Sequence, residues 1–427
     1  MGLQLGYIAT KDVQFGHATE ICEGILFINK EEMLQILQDD RFASLNIELA
    51  KPGEETRIIP VKDVIEPRVK VEGPGGMFPG FISKVEMVGT GVTHVLKGIA
   101  VVTAGKIVGF QEGIIDMSGP GAEYTPFSQT LNIVVVADPV PDLHQHEHEA
   151  ALRILGLKAA AYVGEAGRNR TPDEIVAYDC LPLPQAIAKY PDLPRVAYVY
   201  MLQSQGLLHD TYVYGIDAKR ILPTIIYPTE VFDGAIISGN CVSACDKNTT
   251  YHHQNNPIII DLLARHGQDL NFVGVVITNE NVTLADKERS SYFTAKLVEW
   301  LGAEAAIISE EGFGNPDADL MMNCTKLEKK GIKTVLVTDE YAGQDGRSQS
   351  LADADPLADA VVTAGNANEV ITLPPMKKVI GPIGAADVIA GGWKGSLAED
   401  GSITTEIQVI IGATNELGFS KLTTREV

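Results

Sequence analysis

The chain has 427 residues, enough for two or three domains at about 150 residues each, and its 45% hydrophobic and 21% charged residues are ordinary globular usage. Its 34 basic and 56 acidic residues leave a formal charge of −22, a sign that repels phosphate backbones and anionic membrane surfaces and argues against nucleic acid as a partner. Five scattered cysteines (Cys22, Cys180, Cys241, Cys245, Cys324) give no disulfide framework and imply a reducing compartment.

From residue 1 to about 130, short apolar stretches such as 24–28 and 97–103 alternate with glycines and turns, which predicts a strand-rich first part. The segment Gly73 to Phe81, GPGGMFPGF, is predicted as a loop because its prolines remove ladder donors. Residues 131–137 form a continuous apolar run suited to a buried parallel strand, and 144–155 follow with helical spacing. Further strands are expected at 195–201 and 231–237, the latter running into Ser-Gly-Asn-Cys.

Beyond that point strands at 272–278, 305–309, 333–338 and 360–363 alternate with helical stretches 284–301 and 316–330. The fold class expected is α/β, with a strand-rich part (1–130), an α/β region (131–240) and a doubly wound, mostly parallel sheet (241–427). Ligands of such sheets bind beyond the carboxyl ends of the strands, so the loops 278–281, 310–315 and 339–343 form the expected rim. Asn279, Glu280 and Glu311 there could meet a substrate ammonium or carboxylate. No basic and apolar leader opens the chain and no apolar run approaches the ~18 residues of a spanning helix, so a cytoplasmic protein with no membrane contact is expected.

Two glycine-rich strings, Gly89 to His94 and Gly312 to Asp317, lack the third glycine of a dinucleotide loop, and no Walker loop is present. His144, His146 and His148 form the densest set of metal-ligand types, yet they also read as the polar first turn of a helix with no ligand set nearby, the preferred reading. The stretch Ser238 to Cys245, with His252 and His253 close behind, admits four chemistries. Cys241, Cys245 and the histidines could bind zinc, although the spacing is CxxxC rather than CxxC. Cys241 could be an activated thiol, or both thiols could be inert and buried.

The fourth is self-cleavage between Asn240 and Cys241. The thiol can attack the preceding carbonyl, form a thioester and, by loss of the Cα proton, leave dehydroalanine that hydrolyses to a pyruvoyl cap; Gly239 offers the turn freedom required. Such a ketone condenses with amines to an electron-withdrawing imine, which no ordinary side chain offers. Asn240 can also cyclise on its own carbonyl, cutting the same bond but leaving a free Cys241.

The strings MGLQLGYIATKDVQFGHATE, HQHEHEAALRILGLKAA, IISGNCVSACDKNTTYHHQNNP, TNENVTLADKERSS and EEGFGNPDADLMMNC resemble component B of the glycine/sarcosine/betaine reductase family over essentially the whole chain. The resemblance implies cleavage at Asn240–Cys241 into a β chain (1–240) and an α chain (241–427), with Cys241 as the pyruvoyl group. It also implies glycine as substrate, a selenocysteine-containing subunit, selenoprotein A and an acyl-transferring component C as partners, and acetyl phosphate and ammonia as products. Betaine, with its quaternary nitrogen, could not form the imine. His252 and His253 are the expected proton carriers, a role suited to an imidazole near neutral pKa. The alternative is an uncleaved scaffolding subunit with zinc on Cys241, Cys245 and His252.

Overall fold

The computed structural model describes residues 2–179, 182–239 and 243–421. Its first half is strand-rich, as expected. A six-stranded sheet runs in the order Gly113–Asp116, Thr56–Ile65, Ile99–Gly105, Leu131–Pro139, Phe42–Ala50, with Lys378–Ile380 added beside Thr56–Ile65. All ten residues of Thr56–Ile65 and all seven of Ile99–Gly105 are buried, the pattern of strands covered on both faces. One face packs on the helix Gln145–Gly164, where Leu152, Leu155 and Val163 meet Ile65, Val101 and Val135. The other face carries Val64, Val102 and Val134 against Ala244 and Ile411, from the far end of the sequence. A four-stranded sheet containing Leu3–Ala9 and Gly91–Lys97 lies alongside in the chain.

The second large sheet has the order Thr224–Ile226, Asn271–Asn279, Arg195–Leu202, Ala305–Ser309, Lys333–Glu340, Val361–Asn366. Every neighbour pair is parallel except the first, which is antiparallel. Counting the parallel strands along the chain gives the order 2-1-3-4-5, one of the two common open α/β arrangements. Alternation along Arg195–Leu202 separates the faces: Ala197, Val199 and Met201 meet the helices Leu284–Trp300 and Asn315–Glu328 through Ala295, Val298, Leu320 and Cys324. Tyr198, Tyr200 and Leu202 face Ile259 and Leu262 of the helix Pro257–Arg265.

The central strand of this sheet, Arg195–Leu202, precedes the Asn240–Cys241 junction, whereas its neighbours follow it. The two sides of the junction therefore share hydrogen-bonded sheets in both halves of the molecule. The strand expected at 231–237 is instead a short helix, Pro228–Phe232, followed by Ile236–Ser238. Pro228 starts that helix with its φ already set, Glu230 Oε2 accepts from the Tyr227 N–H at 3.0 Å, and Gly234 at φ 86° reverses the chain. The helix at 144–155 runs on to Gly164 because the added turns are small and apolar.

Candidate functional site

Parallel strands deliver their carboxyl ends to one side, and here the residues just past those ends are acidic and buried. Glu280 follows Asn271–Asn279, Glu310 and Glu311 follow Ala305–Ser309, and Asp339 closes Lys333–Glu340. Over them lies the loop 243–249, wedged between the amino-terminal sheet and the parallel one. The loop belongs to no strand ladder, so its polar groups are met partly by the backbone of the segment 412–414 and partly by side chains. The Asn248 N–H donates to Glu311 Oε1 at 2.7 Å, Asn248 Nδ2 to Glu416 Oε1 at 2.7 Å, and Asn415 Nδ2 to Asn248 Oδ1 at 2.7 Å.

The expected rim loops thus do converge, on a cluster of buried carboxyl groups that includes Glu280 and Glu311. Burial pushes Glu280, Glu310, Glu416 and Asp339 well above the usual carboxylate range, with neighbouring carboxylates adding to the effect. Burial likewise raises Glu311 to about 8 and Asp246 to about 7. Among the described residues, both oxygens of Glu280 and one each of Glu310, Glu311, Glu416 and Asp246 lack a hydrogen-bond partner. Since an unmet buried acceptor costs about 1–3 kcal/mol, such a group of them marks a site prepared for something cationic or proton-donating.

A cleft of about 300 Å³ opens beside this cluster, lined among others by Gln203, Gln205, Ser243, Asp246, Asn315 and Tyr341. Phe313 stacks on Tyr341 with ring centroids 4.4 Å apart and forms its apolar wall. A second cavity of about 340 Å³, at Tyr178, Tyr190 and Gly274, lies toward the amino ends of the strands, away from the acidic residues.

Asn240 and Cys241 lie outside the described residues, with Val242. Their neighbours on either side are described. Ser238 donates its N–H to Thr250 Oγ1 at 3.0 Å, and Thr250 in turn is held by Asp63 through N–H and hydroxyl bonds of 2.9 and 2.7 Å. Gly239 is required for close approach rather than for turn freedom: a Cβ there would stand 2.1 Å from the His209 carbonyl oxygen and 2.7 Å from that of Asp210. On the downstream side, Ser243 faces the cleft.

The two histidines are fully buried and diverge. Thr249 caps the helix Thr250–Gln254, and its N–H donates to His252 Nδ1 at 3.1 Å. Because a backbone N–H cannot accept, the neutral ring carries its proton on Nε2. His253 Nδ1 pairs with the Tyr200 hydroxyl at 2.7 Å. The near-neutral values expected for these imidazoles are not found: burial drives both down to about 3, so they stay neutral at physiological pH. His252 packs on Phe127 and Phe419 and shares no ligand set with Cys245 among the described residues. His144 caps the helix Gln145–Gly164, the helix start expected there, and burial lowers His148 to about 4.

The sequence matches the family described as glycine/sarcosine/betaine reductase component B subunits over residues 1–425. The chain belongs to that family. It is 65% identical to the glycine reductase complex component B subunits alpha and beta of Acetoanaerobium sticklandii, over 428 residues and the full length of both chains. It is 64% identical to the protein of the same description from Peptoclostridium acidaminophilum, and 59% to the sarcosine reductase complex component B subunit alpha of that organism, again over the full length of each. No solved structure matches. As a component B chain of this family the protein is an oxidoreductase component.

Several members of this candidate site carry no sequence signal of their own. Glu416 and Asp246 were not named, and neither was Glu310 beyond its place on the rim loop. Asp246 directly follows Cys245 and could have been flagged, but Glu416 stands 170 positions further on and only folding brings it to Asn248.

Proposed function

We propose that this chain is the substrate-activating component of a reductive deaminase complex, that it cuts itself between Asn240 and Cys241, and that Cys241 becomes a pyruvoyl group. The observation that carries the reading is that full-length relatives on one chain bear the names of two subunits, alpha and beta. The architecture suits it, because sheets built from both sides of the junction would hold two fragments together after the cut. The residues around the junction fit such a group as well: Gly239 is locked against the 209–210 backbone, and Ser243 opens on a polar cleft large enough for a small amino acid.

A ketone at that position condenses with a primary or secondary amine and withdraws electrons from its nitrogen, so that a selenolate of a partner subunit can displace the amine from the α-carbon. The chain's own residues do the rest. Glu280, Glu311 and Glu416, which burial and mutual repulsion keep protonated in the empty site, would give up a proton as the cationic amine enters and then pair with it in a region with little water, where charge interactions are strong. Gln203, Gln205 and Asn315 on the cleft wall supply amide donors for the substrate carboxylate. Of the two neutral histidines only His253, whose Nδ1 meets the Tyr200 hydroxyl, can relay a proton from one ring nitrogen to the other, because the Thr249 N–H occupies His252 Nδ1.

Glycine is the proposed substrate, by the two relatives named for it; sarcosine, a secondary amine, is the second reading, by the relative named for that. A selenocysteine-containing subunit and selenoprotein A are the proposed partners, with acetyl phosphate and ammonia as products. Intact mass and amino-terminal analysis test the cut. Two fragments with a blocked, hydrazine-reactive downstream end are expected, and borohydride with labelled glycine should fix label to that fragment. A free cysteine end would mean asparagine cyclisation instead, and one unbroken chain in active material would overturn the reading.

A further inference from the structure

The loop 243–249 is tied to the segment 412–416 along its length. The Gly412 N–H donates to the Ala244 carbonyl at 2.8 Å, the Thr414 N–H to that of Cys245 at 3.1 Å, and Asn415 Nδ2 to that of Lys247 at 3.2 Å. This fixed backbone carries Cys245 and Asp246 to the carboxyl end of Lys333–Glu340, where Asp339 stands. The thiol and a carboxylate oxygen from each aspartate lie within 4.8 Å of one another, and all three residues are buried.

What surrounds them makes the grouping costly without an occupant. The donors that reach them are neutral hydroxyls: Tyr341 donates to Asp246 Oδ2 at 3.2 Å and lies 3.4 Å from Cys245 Sγ, and Thr414 donates to Asp339 Oδ2 at 2.7 Å. Asp246 Oδ1 is buried without a hydrogen-bond partner among the described residues. The charges that weigh most on the three are each other's, with Glu416 beyond. Two adjacent carboxylates and a thiol removed from water either take up protons or enclose a cation.

We propose that Cys245, Asp246 and Asp339 bind one divalent transition-metal ion of the zinc class. The thiol decides the class: sulfur with two carboxylate oxygens suits zinc and its neighbours, whereas calcium and magnesium take oxygen alone. Ligand atoms around such an ion stand about 3–4 Å apart, so side-chain adjustment closes the present spacing. Binding releases the proton of the Cys245 thiol and whatever protons Asp246 and Asp339 hold, and leaves the fourth position toward the cleft, which Asp246 and Tyr341 line. The ion would fasten the residues just past the junction to the parallel sheet. All three ligands lie on the downstream side, so the site does not depend on whether the chain is cut.

Metal analysis of the full purified protein, loaded with Zn2+ and then freed of excess, tests this. About one equivalent is expected, falling at least tenfold in D339N. Cobalt substitution gives a second readout that survives a poorly folding variant, since a thiolate-to-cobalt charge-transfer band should appear in the wild type and vanish in C245S. Failure to retain zinc, or retained metal with no thiolate band or with a band unchanged in C245S, would overturn the proposal. The carboxylates would then be sharing protons instead.

Discussion

Buried charge is handled in opposite ways in two regions of this molecule. In the amino-terminal half each buried cation meets its anion: Arg57 forms a two-pronged bond to Asp116 at 2.7 and 2.8 Å, Arg68 holds Glu66 at 2.6 Å and Asn255 at 2.9 Å, and Lys70 pairs with Asp233. At the carboxyl edge of the parallel sheet, Glu280, Glu310, Glu311 and Glu416 crowd together with oxygens left unmet. Paired charges fix a fold, whereas unpaired ones at strand ends sacrifice stability and so point to function. Loss of one partner should therefore destabilise the first region, and neutralisation should relieve the second.

The largest effect is expected at the junction between the regions. Cys241→Ala should leave a single 45.9 kDa chain and reduce turnover to background, measured by intact mass and product formation. Gly239→Ala, which drives a Cβ into the His209 carbonyl, should slow processing at least about tenfold, equivalent to roughly 1.4 kcal/mol of barrier; unchanged kinetics of band conversion would break the link between that contact and the cut. In the amino-terminal region, Asp116→Asn should strand the Arg57 guanidinium and cost about 3–5 kcal/mol, read from denaturant unfolding.

Glu280→Gln should do the reverse. Stability should hold or rise by up to about 1 kcal/mol, since an amide is cheaper to bury than a crowded carboxylate, while KM for the amine rises. A loss of stability as large as that of Asp116→Asn would erase the contrast. The last test is a slope with pH. Burial raises Glu311 from 4.5 to about 8, so the folded chain binds the proton more tightly than the unfolded one. Its contribution is full below about pH 4.5 and is lost as pH rises through about 8. Glu311→Gln should flatten unfolding free energy across that window.

Strand-rich and α/β halves, the rim loops at 278–281, 310–315 and 339–343, and the polar helix start at His144 were legible because each depends on local period, turn residues or strand ends. The sequence misled at 231–237, where an apolar run could serve helix or strand and Pro228 with Gly234 decided the matter. It also misled on the histidines, whose ionisation is set by what buries them.

Local pattern determined which segments become strands and helices, and it drew attention to the junction through an uncommon string of residues. Tertiary structure alone decided that Arg195–Leu202 crosses over to lie among downstream strands, and that Cys245, Asp246, Asp339 and Glu416 meet. The reason is physical: sheet order and burial arise from contacts between segments far apart in the chain, and the charge state of a carboxylate follows from the neighbours those contacts supply.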